Sequence, residues 1–148
     1  MHWIEKRIYE QQERDERRAL IARESPKIFD ALWTHILDDI RLANQTAYIG
    51  IMQLGTEGNS STREMTIYRP AARERKEVHI KLNSDGFGIT VSGIVDRTLR
   101  LRICKDGSVC LQDAYGQKIE FREASQEILD PLLFPDLQKA EFPSEIKQ

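Results

Sequence analysis

Residues 78–91 read Val-His-Ile-Lys-Leu-Asn-Ser-Asp-Gly-Phe-Gly-Ile-Thr-Val, and the fold turns on how they are read. Val78, Ile80 and Leu82 alternate with His79 and Lys81. After Asn83-Ser84-Asp85-Gly86, Phe87, Ile89 and Val91 alternate with Gly88 and Thr90. An apolar residue at every second position puts one face of a strand on a core and the other in water. Asp-Gly between two such runs is a hairpin signal. The expected connection is a two-residue type I′ turn, with positive φ at both central residues.

Downstream, the inward phase stays on odd numbers through Gly93, Val95, Leu99, Leu101 and Ile103. Asp96-Arg97-Thr98 is either a turn, which makes 94–104 a separate strand, or a kink in one long bent strand of which 94–104 is part. The next turn follows from parity. For Leu101 and Ile103 to share a face with Val109 and Leu111, the loop between them must hold an odd number of residues. Lys105-Asp106-Gly107, with Gly107 left-handed, meets that condition and pairs Ile103 with Val109. In this register Cys104 faces Ser108, and Cys104 and Cys110 lie diagonally on the outer face as free thiols. The same arithmetic at Ala114-Tyr115-Gly116 pairs Leu111 with Ile119 and Val109 with Phe121. A short helix over Ser125–Leu129 follows, and Asp130-Pro131 starts a new turn.

Upstream, Met65 and Ile67 mark a strand near Glu64–Arg69, and Gly55–Ser61 reads as a flexible hairpin loop. The run from Ala47 to Leu54 is apolar on both faces. It suits a strand covered on both sides or one facing another chain.

Two helical patterns precede the strands. Residues 2–24 carry twelve charges, six of each sign. Glu10–Arg14 and Glu13–Arg17 have the i,i+4 spacing that supports a helix. Trp3, Ile4 and Ile8 sit at its start, and Gln11–Arg18 is polar all round. From Ser25, read as an N-cap, and Pro26, read as the first helical residue, a second pattern begins. There Ile28, Leu32, Ile36 and Ile40 form one row, flanked by Phe29, Trp33 and Leu37. A stripe this wide suits packing across a sheet.

Together these patterns predict an α+β fold. A long N-terminal helix or helix pair packs on a curved antiparallel meander of six to seven strands, with a short C-terminal helix. The expected organisation is a charged helical arm over 1–24, a single α+β domain over 25–137 and a polar tail over 138–148.

The chain has 148 residues, 22 basic and 24 acidic side chains and a net charge of −2, so no global field favours nucleic acid or an anionic membrane. No secretory leader is evident, and no run approaches the roughly 18 apolar residues of a membrane span. With two cysteines and no Cys/His ligand spacing, neither a disulfide framework nor a metal site is expected, and the expected location is cytoplasmic. Phosphate loops, dinucleotide fingerprints and the common hydrolase motifs are missing, and no cofactor is implied.

Three constellations could carry chemistry. His35 and Asp39, one helical turn apart, could form an oriented base in a pocket with Trp33 between helix and sheet. Cys104 beside Lys105 could be an activated thiol, although only His79 offers itself as a base. His79, Lys81, Arg100, Arg102, Lys118 and Arg122, against Glu77 and Glu120, form a mildly basic outer sheet face. It lacks the aromatic residues that stack on single strands, so nucleic acid is the weakest reading. The leading expectation is a non-enzymatic module that binds a protein partner or itself as a homodimer. Trp3, Ile4, Ile8, Tyr48 and Met52 are its contact residues. A small-ligand binder or enzyme using Trp33, His35 and Asp39 is the alternative.

Overall fold

A computed structural model describes residues 2–46, 53–70 and 74–135. The elements run α1 (Trp3–Gln45), β1 (Gly55–Asn59), β2 (Glu64–Arg69), β3 (Lys76–Leu82), β4 (Gly88–Gly93), β5 (Arg97–Ile103), β6 (Val109–Gln112) and α2 (Phe121–Leu133). The six strands form one open antiparallel sheet in sequence order, the curved meander expected. Both helices pack on its inner face and on each other.

The alternation in β3 is realised as read: Val78 and Ile80 are buried, whereas His79 and Lys81 are exposed. Ile80 pairs with Val91 and Leu82 with Ile89. The same face continues through Ile67 of β2, Leu99 and Leu101 of β5 and Leu111 of β6. Against it lie Phe29, Leu32, Ile36 and Ile40 of α1 and Ile128, Leu129 and Leu132 of α2. Each of these large side chains contributes roughly 1.5–3 kcal/mol on full burial, so the two-layer core is the main source of stability.

The β3–β4 connection differs from a two-residue turn. Asn83 pairs with Gly88, and the Gly86 N–H donates to the Asn83 carbonyl at 2.9 Å. Only Gly86, at φ +78°, takes a positive angle in this loop. The Asp85 carboxylate accepts the Phe87 N–H at 2.8 Å, an Asx-type contact that supports a four-residue loop over 84–87. The two later loops match the parity argument. Ile103 faces Val109, and Gly107, at φ +87°, donates to the Cys104 carbonyl. Gly116, at φ +79°, closes the loop that sets Ile119 beside Leu111. Of the two options left open at 96–98, the separate strand is the one found: β5 turns back on β4 and pairs Thr98 with Thr90.

The largest correction is in the first helix. It does not restart at Ser25-Pro26 but is continuous from Trp3 to Gln45, with Pro26 inside it. An interior proline leaves the carbonyl four residues back without its N–H donor. That carbonyl belongs to Ala22, and the Ser25 hydroxyl donates to it at 3.2 Å. Ser25 thus supplies the missing donor instead of capping a new helix. Ile21 and Phe29, buried on either side of the proline, hold the helix to the same core.

Three other elements depart from expectation. Gly55–Asn59 is edge strand β1, paired from Gly55↔Tyr68 to Asn59↔Glu64, and only the residues after it form the turn. Phe121 does not pair with Val109: it opens α2, where the Glu120 N–H donates to the Glu123 carboxylate at 3.1 Å. α2 then runs through Pro131, without the restart expected there. Most of the apolar run 47–54 lies outside the described residues, as does the tail over 138–148. Leu54 is described and buried, and both its backbone groups bond the Asn44 amide, at 2.9 and 3.0 Å. This ties the end of α1 to the start of the sheet.

Candidate functional site

At 1.5 Å per residue, the 43 residues of α1 span about 64 Å. Residues 2–19 are exposed around the whole helix. The first large apolar side chain of α1 to be buried is Ile21. Just before it, the Arg18 guanidinium lies over the Phe87 ring at 5.8 Å. Upstream of that contact the helix carries Trp3, Ile4, Ile8 and Tyr9, which are 69%, 47%, 53% and 56% exposed. His2 caps the free end through its Nδ1, which accepts the Ile4 N–H at 3.1 Å.

The charges expected to brace this arm are paired differently. Arg7, not Arg14, takes Glu10, at 3.1 Å, and Gln11 bonds Asp15 at 2.9 Å. The charge of Glu13, together with a hydrogen bond from the phenol, pushes the Tyr9 hydroxyl pKa up. Trp3, Ile4 and Ile8 all lie on the free end of α1, Ile4 and Ile8 on one face and Trp3 about 100° round the helix from Ile4. Tyr48 and Met52 fall outside the described residues.

His35 Nε2 and Asp39 Oδ2 are 3.8 Å apart, and both side chains are partly exposed. A third group that no spacing pointed to joins them: the buried Ser125 of α2 donates its hydroxyl to Asp39 Oδ2 at 2.6 Å. The carboxylate lies between hydroxyl and imidazole, so the imidazole is not placed to deprotonate the serine, as nucleophilic catalysis requires. What the trio does is join α2 to α1. Trp33 packs against the core and, two residues from His35, points about 200° away round the helix. None of the principal clefts among the described residues is lined by Trp33, His35 or Asp39.

A broader one is an open groove of about 830 Å³ on the outer face of β1–β4, lined in part by Glu57, Glu64, Thr66, His79 and Lys81. In it Thr66 Oγ1 meets His79 Nδ1 at 2.9 Å, and His79 Nε2 meets Glu77 at 2.9 Å. This is the order of a base-activated hydroxyl. However, Glu77 is also bound by Arg75 at 2.7 Å, His79 is half-exposed, and the groove is open to water. Lys81 pairs with Glu64 at 3.0 Å, and Arg75 also bonds Glu57 and stacks on Tyr68 at 3.9 Å. The β2–β3 half of the expected basic face is therefore charge-neutralised. Arg100 and Arg102, on β5, are separated from it by β4.

The thiol expectation is corrected: Cys104 and Cys110 form a disulfide with Cα atoms 6.1 Å apart. The diagonal positions are those derived from the register. At the twisted β5–β6 edge of the sheet that diagonal falls within disulfide reach. Cys104 is thus not a nucleophile. Among the described residues no group of three or more His, Cys, Asp or Glu is placed to hold a metal ion, and no helix is long and apolar enough to cross a membrane.

No family model matches the chain, and neither the curated proteins nor the solved structures include a significant match to it.

Proposed function

We propose that this chain is a non-enzymatic interaction module that associates with a second copy of itself through the free end of α1. The observation that carries this reading is the exposure of Trp3, Ile4, Ile8 and Tyr9 together on a helix that extends beyond its contact with the sheet. An isolated helical segment of this length is marginal in water, and a bundle contact that buries its aromatic and aliphatic side chains would stabilise it. Its charges are of mixed sign with equal numbers of each, which favours a partner of the same composition over a strongly acidic or basic one.

Light scattering of the intact chain over a concentration series tests the reading. A dimer is expected, and the triple substitution Trp3→Ser, Ile4→Ser, Ile8→Ser should convert it to a folded monomer. These positions are exposed, so the substitutions leave the core intact. A monomer at every concentration, or a dimer indifferent to the triple substitution, would sink the proposal.

A further inference from the structure

Arginines from two distant parts of the chain converge where α1 passes the end of the β5–β6 hairpin. Arg14, Arg17 and Arg18 of α1 and Arg102 of β5 line a cleft of about 560 Å³ floored by Ile21 and Ile103. Arg18 and Arg102 also line an adjoining hollow of about 340 Å³, with Arg100 and Phe87. The convergence follows from helix register. The buried stripe Phe29, Ser25, Ile21 continues upstream at three- and four-residue steps as Arg18 and Arg14, so these side chains start on the sheet side of the helix.

Among the described residues, none of these five arginines has a carboxylate within 4.0 Å. Arg7, Arg23, Arg41, Arg63, Arg75 and Arg97 each do. The acids at the rim are Glu10 and Glu13 in the cleft and Asp85 in the hollow. Glu10 is held by Arg7, Glu13 is engaged by Tyr9, and Asp85 accepts the Phe87 N–H. Five like charges against three acids already engaged elsewhere leave an excess of positive charge that an added anion would offset.

We propose that this cleft binds a compact oligophosphate, a small molecule bearing two or three linked phosphate groups. Guanidinium forks match phosphate oxygens in pairs, and adjacent arginines on a helix turn and on a strand can clamp successive phosphates. The two volumes fall within the range of small-ligand sites. A nucleic-acid strand fits less well. The acidic rim and the net charge of −2 oppose a long polyanion, and Phe87, the nearby aromatic ring, already lies under Arg18.

Titration calorimetry of the intact chain with inorganic tripolyphosphate tests this. Saturable binding that weakens with added salt is expected. The pairs Arg14→Gln/Arg102→Gln and Arg17→Gln/Arg18→Gln should each weaken it by about tenfold or more. The control pair Arg41→Gln/Lys81→Gln, on other surfaces, should leave it unchanged, and circular dichroism melts check that every variant folds. Absence of binding at low salt would overturn the proposal, as would equal weakening by the control pair. Tighter binding of a short single-stranded oligonucleotide than of tripolyphosphate would overturn it in favour of nucleic acid. The test is independent of chain association, so either proposal can fail alone.

Discussion

At the residue scale, Ser25 and Pro26 act as one unit. The hydroxyl answers the carbonyl that the proline leaves without a donor, so the two substitutions should be coupled. Ser25→Ala should destabilise the fold by about 1–3 kcal/mol, because a carbonyl loses its partner beside a buried position. Pro26→Ala restores the N–H and should stabilise by up to about 3 kcal/mol. In the Pro26→Ala background, Ser25→Ala should cost under about 1 kcal/mol, since the backbone then supplies the donor. Urea denaturation of the four variants measures the cycle, and strict additivity would reject the compensation. Asp106 permits a second test. The Ser108 hydroxyl and N–H, at 2.6 and 2.9 Å, hold its carboxyl below the ordinary value of 3.8. A depressed folded-state pKa adds stability above the unfolded-state value and loses it as pH falls through the folded one. The gap in melting temperature between the parent chain and Asp106→Asn should therefore be largest near neutrality and shrink as pH drops below about 4.

At the element scale, the hairpins show what local chemistry can and cannot settle. Gly86 and Gly107 both hold positive φ, but a Cβ on Gly86 would meet Ser25 Oγ at 3.1 Å and Ala22 Cα at 3.5 Å, whereas one on Gly107 would meet nothing within 4 Å. Gly107→Ala should cost only the backbone penalty of about 1–2 kcal/mol. Gly86→Ala should cost measurably more, because the β3–β4 loop sits directly on α1. Equal losses in thermal melts would mean that the helix gives way freely. The disulfide joins residues six apart, and removing so short a crosslink, by reduction or by Cys104→Ala/Cys110→Ala, should cost about 2 kcal/mol in the chain-entropy picture. The register that places these cysteines was legible, because parity and a glycine suffice to set it. The bond between them was not, because strand twist, not register, brings the diagonal Cα atoms to 6.1 Å. β1 was missed for a related reason: Gly55-Thr56-Glu57-Gly58-Asn59 has no apolar alternation and exists as a strand through its ladder with β2.

At the scale of the whole molecule, stability should be graded along α1. Hydrogen exchange at low chain concentration should show amides of residues 3–17 exchanging well ahead of those of residues 28–43, which lie over the sheet. Protection of the first segment that appears on raising concentration would mark it as the contact between copies. Of the candidate groups, the exposed apolar tip was legible because no sheet-facing stripe reaches Trp3, Ile4 and Ile8. The arginine cleft was not. The arginines of the cleft and its adjoining hollow lie more than 80 positions apart in sequence, from Arg14, Arg17 and Arg18 to Arg100 and Arg102, and meet only because one unbroken helix carries them past β5.

The sequence by itself determined the α+β class, the inward face of each central strand, the registers of the two later hairpins and the sheet-facing stripe of α1. Periodicity and turn residues are local, and they act the same way in any context that buries one face. Only the tertiary structure decided that α1 crosses Pro26 without a break, that Cys104 and Cys110 join, that α2 begins at Phe121, and which charges are paired. These outcomes depend on three-dimensional geometry that residue patterns do not carry: the twist that brings Cys104 to Cys110, the side-chain contact that opens α2 and, for α1, burial of Ile21 and Phe29 that outweighs the local preference of a proline to start a helix.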